Sequence, residues 1–170
     1  MQDEYNAFDI SAYEEACQRR GQWDNLWQDC YDYALPQRGN MTAGLRRGER
    51  LYDGTALDCV DQLASLLLGN LTPPMSSWFG LKAGVDLSAE ETRKLAPLLE
   101  KSSRILQTHF DHSNFIVEFH QSLLDLIVAG TASLAFEENE PGDMSTFRFT
   151  AVPIQDILLG EGYDGRLDVV

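Results

Sequence analysis

Basic residues are scarce in this sequence. Its 170 residues include 13 Lys and Arg against 27 Asp and Glu, which gives a formal net charge of −14. Proteins that bind nucleic acid or anionic membranes generally do so through clusters of Lys and Arg. The charge balance therefore argues against general affinity for either, and its plainest role is to keep the protein soluble.

Cysteine is scarce too. Cys17, Cys30 and Cys59 are odd in number, and none belongs to a CxxC pair. A disulfide framework needs paired cysteines and a zinc knuckle needs closely spaced ligands, so the sequence argues against both. All three cysteines fall on apolar faces of predicted helices, which is typical of small buried side chains in a reducing cytosol.

The sequence also lacks the motifs of known catalytic classes. It has no GxxxxGK[ST] or GxGxxG loop and no HExxH pair. One helix junction is rich in possible ligands, but their spacing fits no standard metal site: His109, Asp111, His112, Glu118 and His120. We therefore expect no enzyme activity, no metal and no cofactor, and an enzyme built on this junction is the weakest hypothesis.

Targeting and membrane segments are missing as well. The first nine residues, MQDEYNAFD, contain neither the basic region nor the apolar region of a signal peptide, so none is expected. The most apolar helix is too short and too interrupted to span a membrane.

That helix lies in the most apolar stretch of the chain, residues 51–79 (LYDGTALDCVDQLASLLLGNLTPPMSSWF). Thr55 is placed to act as its N-cap, and Gly69 to end it in the left-handed conformation. The apolar face, which includes Leu63 and Leu67, is so wide that we expect a central core helix with walls on most sides.

Hydrophobic periodicity predicts the other elements. The helices are expected at about Ala12–Tyr33, Ala89–His109 and Phe115–Ala129, and the strands at Thr131–Glu137 and Thr146–Val152, joined by a loop at Pro141–Asp143. Ser88 and Glu91 predict a capping box before the third helix, residues 111–114 can cap the fourth, and Gly130 is expected to end it. Residues 1–10 are expected to be a loose lead-in, with a kink or break at Gly21 and a kink or restart at Pro97.

This order predicts an α+β fold in a single domain, residues 1–170. A mainly helical N-terminal two-thirds, about residues 12–129, is followed by antiparallel β-hairpins over about residues 131–170. A tight turn at Tyr163–Arg166 leads into a return strand at Leu167–Val170, where the sequence stops. We interpret this end as the sign of a fragment or a truncated reading frame whose strand lacks its partner; a short edge strand is the alternative.

Two sets of residues are candidates for contacts with other molecules. Arg46, Arg47 and Arg50 lie in the glycine-rich loop QRGNMTAGLRRGER, where the acidic charge is locally reversed. Such a loop contacts phosphate or an acidic partner, or it is a solvated loop that neutralises nearby carboxylates. Trp78 and Phe79 follow a rigid Pro-Pro exit from the apolar helix and are candidates for aromatics at a subunit interface.

Three groups of residues occur in a set order along the chain. The groups are Trp27, Tyr31 and Pro36; the stretch LYDGTALDCVDQLASLLLGNLTPPMSSWFGL; and His112-Ser113-Asn114-Phe115 with Ala129-Gly130-Thr131-Ala132 one helix later. The tail FRFTAVPIQDILLGEGYDGRLDVV extends the pattern. Together they resemble the N-terminal part of the portal, or head-to-tail connector, proteins of short-tailed bacteriophages, from about Trp27 to the end.

The resemblance implies a structural virion protein without catalysis. It implies a dodecameric ring at one capsid vertex, through which double-stranded DNA is packaged and later ejected. The partners would be terminase, scaffolding or capsid proteins and tail-adaptor proteins. The protein would be located in the virion, and in the host cytoplasm during assembly. The chain would correspond to the wing-like region of a longer portal protein.

A second hypothesis comes from a different functional class. The chain would then be a stand-alone acidic helical module that binds another protein, with Trp78 and Phe79 as anchor residues. Size in solution separates the two hypotheses, because a portal subunit forms a large ring and a module does not.

Overall fold

The computed structural model describes residues 2–36, 53–74, 76–84, 88–139, 145–158, 160–161 and 167–169. The helices in these ranges are α1 (Gln2–Ala34), α2 (Thr55–Leu71), α3 (Ala89–Asp111) and α4 (Phe115–Ala129). The described strands that follow are β1 (Ser133–Glu138), β2 (Phe147–Val152), β3 (Gly160–Glu161) and β4 (Leu167–Val169), with a 3₁₀ turn at Ile154–Asp156 between β2 and β3. The fold is α+β, with its helices in the N-terminal part, as the sequence predicts.

The first helix is longer than expected. It begins at Gln2, so the loose lead-in predicted before Ala12 is wrong. The physical reason is that neither Gly nor Pro precedes Gly21 in the sequence, so these residues contain nothing that breaks a helix. The helix also continues through Gly21 without a break.

The apolar helix α2 differs from its prediction at both ends. Asp53, not Thr55, supplies the cap, because its carboxylate accepts hydrogen bonds from the Thr55 amide at 3.0 Å and from the Thr55 hydroxyl at 2.8 Å. Gly69 does not end the helix, which continues to Leu71, and among the described glycines the left-handed conformation occurs at Gly130. Thr72 follows the last helical residue, and its amide and hydroxyl both donate to Leu68 O at 2.9 Å.

The next two helices agree more closely with the sequence. α3 begins with the expected capping box, in which Ser88 and Glu91 bond reciprocally, and Pro97 lies within a helix that does not restart there. The bounds of α4 are those predicted, Phe115–Ala129, and Gly130 follows with a φ of 75°. The hydroxyl of Ser113 accepts from the Phe115 amide, as expected of a cap between the two helices.

The strands form two separate two-stranded sheets, β1–β2 and β3–β4. Asn139 N donates to Thr146 O at 3.0 Å where the first hairpin closes. The expectation that the return strand at Leu167–Val170 lacks a partner is wrong: β4 pairs antiparallel with β3, with a register irregularity that fits a bulge. The predicted turns at Pro141–Asp143 and Tyr163–Arg166 lie outside the described residues.

The chain divides into two compact units. The first consists of residues 1–62, 124–133 and 152–170, and the second of residues 63–123 and 134–151. The single-domain assignment made from the sequence stays a prediction.

The core of the first unit is built around α1. Its buried apolar side chains are Tyr31, Leu35, Val60, Leu124, Ile154 and Ile157. The Tyr31 hydroxyl donates to the buried Asp125 carboxylate at 3.0 Å. Further along α1, the Arg20 guanidinium donates to Gln155 O at 2.7 Å and to Ile157 O at 3.3 Å. These polar contacts hold α1 against residues distant in the sequence.

The second unit is held together by aromatic rings. Phe110 lies 5.0 to 5.6 Å, centroid to centroid, from rings of three separate segments: Trp78 and Phe79 before α3, Phe115 in α4, and Phe147 and Phe149 in β2. Phe119 and Phe136 extend the cluster through Phe115 and Phe149. Edge-to-face and offset contacts of this kind stabilise a core beyond the area that they bury.

Candidate interaction surfaces

Trp78 and Phe79, the aromatics expected at a subunit interface, belong to this aromatic cluster. Trp78 stacks on Phe115 at 5.6 Å with an interplanar angle of 8°, and it meets Phe79 and Phe110 edge-on. Both side chains are half-buried. Each ring therefore packs inside its own unit and keeps part of its surface exposed, and an interface role for that exposed part stays a prediction.

Sequence reasoning did not identify the cluster as a whole. Its signals were present, because Phe115 and Phe119 are four residues apart on α4, and Phe147 and Phe149 lie on one face of β2. The sequence did not reveal that Phe110, at the end of α3, lies where the three segments converge. Periodicity assigns a residue to a face but does not say which faces meet.

A groove runs between residues 77–83 and α3. Its volume is about 690 Å³, and its lining includes Phe79, Leu81, Ala96 and Leu99. The hydroxyl of Ser103 accepts from the Leu81 amide at 2.9 Å and so fixes the floor of the groove. The groove is of a size and polarity that suit an apolar side chain or a short peptide segment.

The long helix α1 also carries large apolar side chains that remain exposed. Trp23, Leu26 and Tyr33 recur at helical spacing, and each is more than half exposed, from 52% at Leu26 to 62% at Tyr33. Trp23 stacks on Trp27 at 6.4 Å. Large apolar side chains grouped on one exposed helix face are typical of a protein-binding surface.

The apolar face of the central helix α2 is only partly buried. The expectation that other elements surround this helix on most sides is therefore wrong. Val60 and Ala64 are buried, whereas Leu63 is 43% and Leu66 is 63% exposed. Leu63 was predicted on the buried face and is not there. Val60 and Leu63 are neighbours at i, i+3, so the buried and exposed residues are adjacent parts of one wide apolar face, of which one part packs in the chain's own core and the other remains open.

The outer edge of β2 in the β1–β2 hairpin is closed by side chains from the first turn of α4 and from the residue before it. On β2, the Asn114 amide group donates to Phe149 O at 2.7 Å and accepts from Phe149 N at 2.9 Å. One turn along α4, the Glu118 carboxylate accepts from Ala151 N at 2.8 Å. Asn114 and Glu118 thus bind the backbone of β2 in place of a neighbouring strand, which is one way in which proteins close a sheet edge.

Two other candidate sites came from the sequence, the arginine loop and the histidine-rich junction. Arg46, Arg47 and Arg50 lie outside the described residues. At the histidine-rich junction, Asp111 accepts from Gln107 and His109 packs on Phe147. No group of three or more His, Cys, Asp or Glu side chains is placed to hold a metal ion in the part of the chain that the structure describes.

The exposed apolar stripes suit a protein that works by assembly with others. A family model described as bacteriophage head to tail connecting protein matches residues 10–170. The chain belongs to this family of phage connectors. A comparison with curated proteins finds no match.

Membership of the family gives the chain a structural role in the connector between phage head and tail. The connector is part of the virion and interacts with other head and tail components. Among the helices that the structure describes, none is both long and apolar enough to cross a membrane.

Proposed function

We propose that this connector protein is a portal subunit, part of a ring at one capsid vertex through which DNA is packaged and later ejected. The observation that carries the proposal is the family match over residues 10–170. The ordered groups of residues from Trp27 to the C-terminal tail, which resemble the portal proteins of short-tailed phages, support it.

Assembly into a ring agrees with the exposed apolar stripes. Trp23, Leu26 and Tyr33 on α1, and Leu63 and Leu66 on α2, leave more apolar surface open than a monomer needs. In a closed ring each subunit meets two neighbours through two different patches, so two such stripes suit a heterologous contact. The dodecameric number follows from the family resemblance.

The charge of the chain agrees with a channel for DNA. The net charge of −14 repels a duplex, and a wall that bound phosphate tightly would stall its movement. Contact with the DNA or with an acidic neighbour is assigned to a few arginines, Arg46, Arg47 and Arg50. The partners in this scheme are terminase, scaffolding or capsid proteins and tail-adaptor proteins.

In this scheme the chain forms the wing-like region of the portal subunit, because it combines a helical part with antiparallel hairpins. Its chemistry is mechanical rather than catalytic, and nucleotide hydrolysis is left to a separate packaging motor. Assembly takes place in the host cytoplasm, before the ring becomes part of the virion.

An amber mutation in the gene tests the proposal. Infection of a non-suppressing host should yield heads that contain no DNA and carry no tails, because a head without its portal has neither an entry for DNA nor a seat for the tail. Supplying the wild-type protein from a plasmid should restore DNA-filled heads. DNA-filled heads formed without the protein would contradict a role in packaging.

Replacing Arg46, Arg47 and Arg50 together with Gln tests the arginine loop. Contacts of exposed arginines with phosphate or carboxylate weaken as salt screens them. Packaging or assembly should therefore fall while the melting temperature stays unchanged. Packaging at the wild-type level by the triple variant would favour the alternative interpretation, in which these residues belong to a solvated loop.

The groove beside Phe79 favours a second candidate function, a stand-alone acidic module that binds a peptide segment of another protein. In that case the protein isolated from infected cells would be a monomer or a small oligomer. Leu99→Trp, which fills the groove from α3, should then abolish function while leaving the size of the protein unchanged.

A further inference from the structure

In the part of the chain that the structure describes, the outer edge of β1 lacks the closure found on β2. Backbone groups along a strand alternate in direction, and Asn139 bonds to Thr146 across the hairpin. The amides and carbonyls of Leu134, Phe136 and Glu138 therefore face away from β2. Within the described ranges, no side chain binds them as α4 side chains bind β2, and β1 has no second strand neighbour.

The side chains on this open edge define the chemistry of what it accepts. Phe136 is 56% exposed, although its ring also touches Phe147 and Phe149. Glu137 and Glu138 are exposed beside it. No Lys or Arg occurs in the sequence from residue 105 to residue 147. The edge thus offers a row of backbone groups, one apolar ring and a concentration of negative charge.

The charge argues against a second copy of the same strand. Two copies paired through this edge would bring together the same carboxylates, Glu137 and Glu138, with no Lys or Arg nearby in the sequence to offset them. A strand that alternates Lys or Arg with small apolar residues would instead place its basic side chains on the face of Glu137 and its apolar side chains on the face of Phe136.

We propose that the outer edge of β1 binds an extended, basic segment of another head or tail protein, which adds a third strand to the hairpin. Backbone hydrogen bonds to Leu134, Phe136 and Glu138 hold the segment. Successive side chains of a strand point to opposite faces, so an apolar side chain of the segment packs on Phe136 on one face, and a Lys or Arg side chain pairs with Glu137 on the other. The identity of the partner as a phage component rests on the connector role, whereas the strand addition itself does not.

Hydrogen exchange on the unaltered protein tests the proposal. The probe is a capped six-residue peptide of alternating Lys and Val, and the control is the same peptide with Glu in place of Lys. The Lys peptide should slow exchange of the Leu134, Phe136 and Glu138 amides, which face outward. The amides of Ala135 and Glu137, which already face β2, should change little. Equal slowing by both peptides, or by neither, would overturn the proposal.

A charge-reversed variant provides the matched control. Glu137→Lys with Glu138→Lys changes two exposed side chains and should leave the hairpin folded, which the amide spectrum of β2 checks. Exposed ion pairs contribute modestly, so reversal of the charge beside the peptide should lower affinity for the Lys peptide roughly tenfold and pass the preference to the Glu peptide. An unchanged preference would show that charge does not select the partner.

Two further outcomes also count against the proposal. In the first, the outward-facing amides are protected from hydrogen exchange without any peptide, and this protection rises with protein concentration. That result would mean that the edge binds a second copy of the chain. Phe136→Ala should weaken peptide binding because the ring is lost, and undiminished binding would mean that the peptide lies elsewhere. These measurements use isolated protein and peptide, so their outcome is independent of the amber-mutation test of packaging. Peptide binding can fail while packaging depends on the protein, and peptide binding can succeed while packaging does not depend on it.

Discussion

Tyr31 and Asp125 form the most deeply buried polar contact of the first unit. The Tyr31 hydroxyl donates to Asp125 Oδ1 at 3.0 Å, and both side chains are almost fully enclosed. A buried carboxylate that loses one of its donors retains the cost of having left water. The pair therefore matters to the free energy of unfolding mainly because breaking it would leave a buried carboxylate with one hydrogen bond fewer.

Tyr31→Phe should lower the free energy of unfolding by about 1–3 kcal/mol, because it removes the donor and leaves the shape of the ring unchanged. Tyr33→Phe is the matched control, since Tyr33 lies two residues along the same helix and is exposed. Urea denaturation measures both variants. Equal, small effects of the two changes would contradict the importance of the buried contact.

At the start of α3, Glu91 responds to pH through its capping box. The Ser88 hydroxyl and amide donate to the Glu91 carboxylate, and they hold the pKa of Glu91 below its ordinary value. A carboxyl whose pKa is lowered on folding stabilises the folded state fully above its unfolded pKa, about 4.3. This contribution is lost as the pH falls through the lower, folded pKa.

Ser88→Ala should return the pKa of Glu91 towards its ordinary value, whereas Ser88→Thr, which keeps the hydroxyl, should leave it low. An NMR titration of the Glu91 side-chain carboxyl carbon measures both. An equally low pKa in the Ala variant would mean that the box does not cause the shift.

At the scale of elements, Asn114 joins the start of α4 to β2. Its two hydrogen bonds to the Phe149 backbone replace those of a missing strand. Asn114→Ala should cost about 1–3 kcal/mol and speed hydrogen exchange at the Phe149 amide. Asn70→Ala is the control, because Asn70 is exposed and bonds within its own helix. No change in exchange at Phe149 would contradict the edge-closing role.

The sequence predicted elements well where local chemistry decides them. The capping box at Ser88 and the glycine at the end of α4 involve neighbours within a few residues, and both are confirmed. The ends of α2 were wrong because the Asp53 carboxylate binds Thr55 and because the bonds of Thr72 to Leu68 O carry the helical pattern past Gly69. Which of several local bonds forms depends on small differences in geometry.

The placement of faces was harder to predict. Leu63 was assigned to the core because an apolar residue at helical spacing is usually buried, yet it belongs to the open stripe of α2. An interior face and an assembly face have similar compositions, so a single sequence does not separate them. The aromatic cluster and the closed edge of β2 depend on contacts between distant segments and were not anticipated.

For the whole molecule, the net charge and the open stripes act in opposite directions. Mutual repulsion of the −14 charge keeps copies of the chain apart, and salt screens it. The 170-residue chain alone, without the rest of the proposed portal subunit, should therefore be monomeric or weakly associated at low ionic strength and self-associate as salt rises. Light scattering across a salt series measures this, and Leu66→Gln, which makes the α2 stripe more polar, should reduce the association. A discrete small oligomer, unaffected by salt, would favour the stand-alone module.

The central claim is that this connector protein forms a portal ring. Electron microscopy and native mass spectrometry of the protein purified from infected cells test it most directly. We predict a closed ring with a central channel and the mass of a dodecamer. A monomer or a small open oligomer, in heads that nevertheless package DNA, would contradict the claim.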